Sequence, residues 1–185
     1  MKATLMALVV LAAAVHAGEP AANVLALETT WRTERGEKVT LESLRGRWYA
    51  LSFVYTSCPG TCPLTTQKLK RLDAALRKAR RPIDLVVVSL DPSNDTPDAV
   101  ASYRARYQLT GAKQWRILVG DDEQLRTLTM LLGFKYTRNA ESGAILHDNA
   151  VYLVGPDGAV VTSMSSLDQP LDAFVAAVPV PARGS

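Results

Sequence analysis

Residues 49–55 read Tyr-Ala-Leu-Ser-Phe-Val-Tyr, an almost unbroken apolar run. A strand with one wet face alternates apolar and polar residues, whereas a run like this must be covered on both faces. Residues 83–90 and 115–119 are of the same kind. The intervals between them carry helical patterning. Thr65, Leu69, Leu72, Leu76 and Ala79 recur at steps of four and three, as one buried helical face would. Lys68, Lys70, Arg71, Arg77, Lys78 and Arg80 fill the rest of that segment and predict a solvated basic surface, with docking to an acidic partner as the alternative. Thr96 before Pro97 predicts an N-cap and first helical position. Asp121 with Gln124 predicts a capping box, and Gly133 the end of that helix. Strands alternating with helices imply a parallel core between two helical layers.

Smaller elements frame this core. Residues 31–41 predict a hairpin turning at Arg35-Gly36-Glu37. Residues 150–154 and 159–162 predict a second hairpin around Gly155-Pro156-Asp157-Gly158. Residues 134–143 have weak patterning and are expected to be loop. Pro170 is expected to open a last amphipathic helix through residue 178. The expected fold class is α/β, with a central mixed sheet flanked by helices, an N-terminal hairpin and a C-terminal β-hairpin.

The first residues follow another logic. Met1 and Lys2 precede an apolar stretch over residues 5–15, and Ala17 supplies a small residue for cleavage. This predicts a secretory signal over residues 1–17. The stretch falls short of the ~20 residues that span a bilayer, so cleavage is favoured over an uncleaved membrane anchor. Residues 18–40 would then be a lead-in and hairpin, and residues 41–180 the main domain. Losing Lys2 from 21 basic side chains, against 18 acidic ones, leaves the mature chain near +2. That is too mild a charge to argue for nucleic acid. Cleavage also removes His16, so His147 stands as the single histidine.

Chemistry concentrates in Tyr55-Thr56-Ser57-Cys58-Pro59-Gly60-Thr61-Cys62-Pro63, which holds both cysteines of the chain. The loop lies between a buried strand and a helix, whose free N–H groups and positive dipole end favour thiolate over thiol. The Pro59-Gly60 and Pro63 framing predicts exposure, with both sulfurs facing outward. Residues four apart can still form a disulfide, so a structural or redox-active pair is one reading of Cys58 and Cys62. A metal site with His147 is another. Thiolates favour Cu(I), imidazole serves both copper oxidation states, and two sulfurs with one nitrogen make a three-coordinate copper site. Structural zinc normally takes four protein ligands and is disfavoured by the shortage of further Cys or His.

The cysteine motif, then Asp91-Pro92-Ser93-Asn94-Asp95-Thr96-Pro97, then His147 followed by Tyr152-Leu153-Val154-Gly155-Pro156-Asp157-Gly158, resembles the SCO/SenC copper-chaperone family. The likeness runs in order from about residue 41 to 178. It implies a thioredoxin-like domain in the periplasm, or otherwise exported, that binds one copper ion, Cu(I) or Cu(II), through Cys58, Cys62 and His147. It further implies a metallochaperone rather than an enzyme, one that helps to assemble the copper centre of cytochrome c oxidase. The work would be copper delivery, thiol reduction of the recipient, or both. The implied partners are the copper-accepting subunit of a respiratory oxidase and another periplasmic copper carrier or thiol reductant. Two positions depart from the family's common pattern: Gly60 stands where an acid is frequent in the cysteine loop, and Leu146 where Asp commonly precedes the histidine. Asp91 and Asp95 match family positions, though turn and cap duty explains them as well. Met164 is a soft atom better explained by packing. The competing function on the same fold is a periplasmic thiol–disulfide oxidoreductase or thiol peroxidase. Against it stand the Cys-x-x-x-Cys spacing and the lack of proline between Gly133 and His147.

Overall fold

A computed structural model describes residues 22–58 and 60–181; the signal expected over residues 1–17 lies outside them. Among the described residues nine strands occur in chain order: β1 (Thr30–Thr33), β2 (Lys38–Thr40), β3 (Tyr49–Val54), β4 (Asp84–Ser89), β5 (Trp115–Val119), β6 (Tyr136–Arg138), β7 (Ile145–His147), β8 (Val151–Val154) and β9 (Val160–Met164). The helices are α1 (Cys62–Lys78), α2 (Pro97–Arg106), α3 (Asp122–Leu131) and α4 (Asp172–Ala177).

Seven strands form one mixed sheet in the order β2-β1-β5-β4-β3-β8-β9. The three apolar runs become β3, β4 and β5, mutually parallel at its centre. Every residue of β3 is buried, as a strand without a polar face requires. The N-terminal hairpin joins the same sheet, because β1 pairs antiparallel with β5. On the other flank β8 pairs antiparallel with β3, and β9 with β8. The strand following His147 is therefore interior, and β9 is the edge.

Local signals set the helix ends. The Thr96 hydroxyl accepts the N–H of Ala99. Asp121 and Gln124 form the expected reciprocal capping box before α3. Thr65, Leu69, Leu72 and Leu76 of α1 are buried as the pattern requires, whereas Ala79, the C-cap residue, is exposed. The basic face of α1 departs from expectation at Lys68. This side chain is buried, and its ammonium donates to the backbone carbonyls of Leu167, at 2.9 Å, and Gln169. Lys70 likewise reaches the Tyr107 carbonyl. Part of the basic face thus ties down distant loops rather than facing solvent.

Residues 134–143 are not simply loop. β6 pairs antiparallel with β7 as a two-stranded ribbon apart from the main sheet, with Tyr136 opposite His147. Three-residue strands with a single buried side chain between them carry little hydrophobic periodicity, so the sequence pattern does not reveal them.

Candidate metal centre

Topology brings the distant residues together. β3 and β4 are parallel, so the cysteine loop after Val54 and the 91–96 loop after Ser89 leave the same end of the sheet. β8 runs antiparallel to β3 with Val151 opposite Ser52, so the chain entering β8 arrives at that end too. His147, four residues upstream of Val151, is thereby delivered over the cysteines. Side chains lock this approach. Ser52 donates to the Ala150 carbonyl at 2.8 Å, and Thr65 of α1 donates to Asn149 at 3.3 Å.

Cys58, Cys62 and His147 place one sulfur, one sulfur and one ring nitrogen within 4.8 Å of one another. The Cys62 Sγ to His147 Nε2 distance is 3.4 Å. An ion held by sulfur at ~2.3 Å and nitrogen at ~2.0 Å needs ligand atoms roughly 3.5–4 Å apart. The triad can close on such an ion with small side-chain movements.

The histidine presents the correct nitrogen. Nδ1 lies 2.6 Å from the carbonyl oxygen of Asp148, which can only accept, so Nδ1 carries the proton. Nε2 is left with a lone pair facing Cys62. Metal-binding histidines are commonly oriented in this way by a backbone carbonyl. Asp148 is itself pinned: its N–H donates to the Lys135 carbonyl and its carboxylate accepts the Lys135 N–H, both at 2.9 Å. The acid beside the histidine therefore serves the base of the ribbon. Phe134 stacks on the imidazole with centroids 6.1 Å apart, and Tyr55 meets it edge-on at 6.2 Å.

The sulfurs do not face outward as expected. Cys58 is 9% exposed and Cys62 1% exposed, because His147, Tyr55 and the start of α1 close over them. Exposure in this loop falls on Ser57, Gly60 and Thr61 instead. The helix end acts through Cys58. Thr61, the N-cap residue of α1, makes no side-chain cap, and the Cys58 sulfur accepts the N–H of Cys62 at 3.4 Å. Burial pushes the Cys58 thiol up. The Cys62 side chain and the N–H groups of Cys62 and Gly60 outweigh it and hold the thiol below its ordinary value. Burial pushes Cys62 well up, and its hydrogen bond to Cys58 adds to the rise. The pair is thus one thiolate-prone sulfur beside one that keeps its proton.

A buried polar network, not fully legible in the sequence, fixes the loop. The Asp95 carboxylate accepts from the Thr56 N–H at 3.0 Å, the Thr56 hydroxyl at 2.7 Å and the Ser89 hydroxyl at 2.6 Å. Burial still raises the Asp95 pKa, against the opposing pull of Ser89 and Thr56. Asp91 accepts from Asn94 and from Arg138 of β6, the latter at 2.7 Å. Both acids therefore hold loops in place, and the Asp95 charge also acts on Cys62. Met164 is buried in β9, as packing requires. Leu146, 67% exposed, projects beside the site.

The sequence pattern of the SCO1/SenC family matches residues 24–178. The chain belongs to that family. A relative in Stutzerimonas stutzeri, named as a copper-binding protein, is 32% identical over 131 residues. Those residues are 69% of this chain and 62% of the relative, so the chain spans less than two thirds of that protein's length. Among solved structures, BsSco, of the Sco family of cytochrome c oxidase assembly proteins, is 26% identical with a TM-score of 0.73 over 88% of this chain and 95% of its own. That protein carries an identified disulfide switch. An Arabidopsis thaliana Sco protein crystallised with copper superposes at a TM-score of 0.70, with 23% identity, over 81% of this chain and 92% of its own. The thioredoxin-like α/β fold with its mixed central sheet is that of the Sco structures.

Proposed function

We propose that this SCO1/SenC protein is an exported metallochaperone that binds one copper ion through Cys58, Cys62 and His147. Its cargo would be passed to the copper-accepting subunit of a respiratory oxidase. The observation that carries this reading is the convergence of two sulfurs and an imidazole Nε2 of fixed tautomer, drawn from segments about 85 positions apart in the chain. Soft sulfur donors suit Cu(I), and the imidazole extends the set to Cu(II). Copper-binding and oxidase-assembly descriptions among the relatives support the same assignment. We assign residues 1–17 to a cleaved signal and 41–180 to the copper-binding domain, with export to the periplasm or its equivalent. The test is copper titration of the reduced protein beside a Cys58→Ser, Cys62→Ser variant, followed by transfer to the copper-centre domain of an oxidase subunit. About one copper per chain, lost in the variant and passed to the acceptor, is the expected result. Equal binding by both proteins would contradict it.

A thiol-reductant role on the same recipient is favoured by the unequal thiols. A low Cys58 and a protonated Cys62 are the attacking and resolving sulfurs that disulfide exchange requires. Cys58 would attack one sulfur of a recipient disulfide and release the other as thiol. Cys62 would then attack the mixed disulfide, freeing the reduced recipient and leaving Cys58 and Cys62 joined. Metal-free reduced protein should reduce an oxidised acceptor on its own; failure there leaves copper delivery as the function.

A further inference from the structure

Thr65 of α1 and Arg138 of the ribbon already tie elements of the candidate centre together through Asn149 and Asp91. Asp95 holds the cysteine loop, while Asp148 and Arg138 hold the ribbon. Tyr55 reaches directly from the cysteine loop to the ribbon. Tyr55 begins the cysteine loop, is buried, and directs its hydroxyl at the backbone of Ile145 in β7. The Ile145 N–H donates to that oxygen at 3.3 Å, and the hydroxyl lies 3.4 Å from the Ile145 carbonyl. Both backbone groups of one residue thus meet a single phenol, as they would meet a neighbouring strand. Two residues beyond Ile145 stands His147, whose ring meets the Tyr55 ring edge-on.

We propose that Tyr55 is a positioning residue for the metal site. Its hydroxyl fastens the ribbon that carries His147 onto the loop that carries Cys58, and so sets the nitrogen-to-sulfur spacing. The ribbon has no other strand neighbour among the described residues, since β6 and β7 pair only with each other. Without the hydroxyl, the Ile145 amide would be left buried and unpaired, a state that drives local opening. The imidazole would then reach the sulfurs in fewer members of the ensemble. This rests on the copper reading above, and the test separates the two.

The variant is Tyr55→Phe, which keeps the ring and its contact with His147 and removes one oxygen. Loss of a group that orients a ligand commonly costs 10–100-fold in affinity. Tyr55→Phe should therefore weaken Cu(II) binding about tenfold and leave Cu(I), which the two sulfurs satisfy, little changed. In a His147→Ala background the same substitution should cost nothing further, because the ligand it positions is gone. In the metal-free protein, hydrogen exchange at the Ile145 amide should accelerate in Tyr55→Phe. Unchanged Cu(II) affinity, or an equal loss in the His147→Ala background, would overturn the proposal. So would unchanged Ile145 exchange. If the wild type takes up no copper at all, the copper reading falls and the positioning role with it. Copper binding that persists while the Tyr55→Phe effects are missing removes Tyr55 alone.

Discussion

At the residue scale, the two sulfurs are chemically unequal although they sit one helical turn apart. Cys58 accepts the first helical N–H, and Cys62 is buried behind it. In reduced, metal-free protein, iodoacetamide should modify Cys58 first and at a pH below that of an ordinary thiol. Cys62 should follow only at higher pH. Mass spectrometry of partly alkylated protein across a pH series checks this, and comparable rates at both sites would contradict it. Asp95 carries a second prediction. Burial raises its pKa, so the folded state holds that proton more tightly than the unfolded chain. Its contribution to stability is then fully present below the unfolded carboxyl pKa and declines as pH rises through the folded value. Denaturant titrations should show this decline in the wild type and a flatter profile in Asp95→Asn. Asp95→Ala removes an acceptor shared by Thr56 and Ser89 and should cost about 1–3 kcal/mol.

At the element scale, the β6–β7 ribbon is the weakest part of the site. Two three-residue strands form too little ladder to be stable alone. Its external ties include the Arg138–Asp91 pair, partly exposed on the arginine side, and the Tyr55 hydroxyl. Arg138→Ala should loosen residues 136–147 in hydrogen exchange and cost about 1 kcal/mol globally. A global change with no local acceleration would contradict this. The N-terminal lead-in makes a different demand. Gly158, at φ +87°, lies where an added Cβ would come 2.5 Å from Leu25 and 2.6 Å from Asn23. What the sequence discloses at this scale follows range. The apolar runs of β3, β4 and β5, the Thr96 cap and the Asp121–Gln124 box are settled by neighbours in the chain, and all were legible. The ribbon was not, because Tyr136, Thr137 and Arg138 form no pattern that local rules recognise. Lys68 was misread as solvated because its partner carbonyls lie about a hundred positions away. The burial of Cys58 and Cys62 was missed for the same reason: what covers them arrives from residue 147.

At the scale of the whole molecule, the site joins the loop after β3 to the ribbon strand that leads into β8. A metal held by Cys58, Cys62 and His147 therefore bridges segments about 85 positions apart, which the unfolded chain would hold only at a large entropic cost. Binding to the folded state alone stabilises it by about 2.7 kcal/mol at a hundredfold excess over Kd. Copper should accordingly raise the melting temperature, a chelator should reverse the rise, and the Cys58→Ser, Cys62→Ser variant should show none. No helix among the described residues is long and apolar enough to cross a membrane. The most direct test is the X-ray absorption spectrum of the copper-loaded protein at the copper edge. The account predicts two sulfur neighbours and one imidazole nitrogen in the wild type, with the nitrogen signature lost in His147→Ala. A copper shell without sulfur, or one that His147→Ala leaves unchanged, would contradict it.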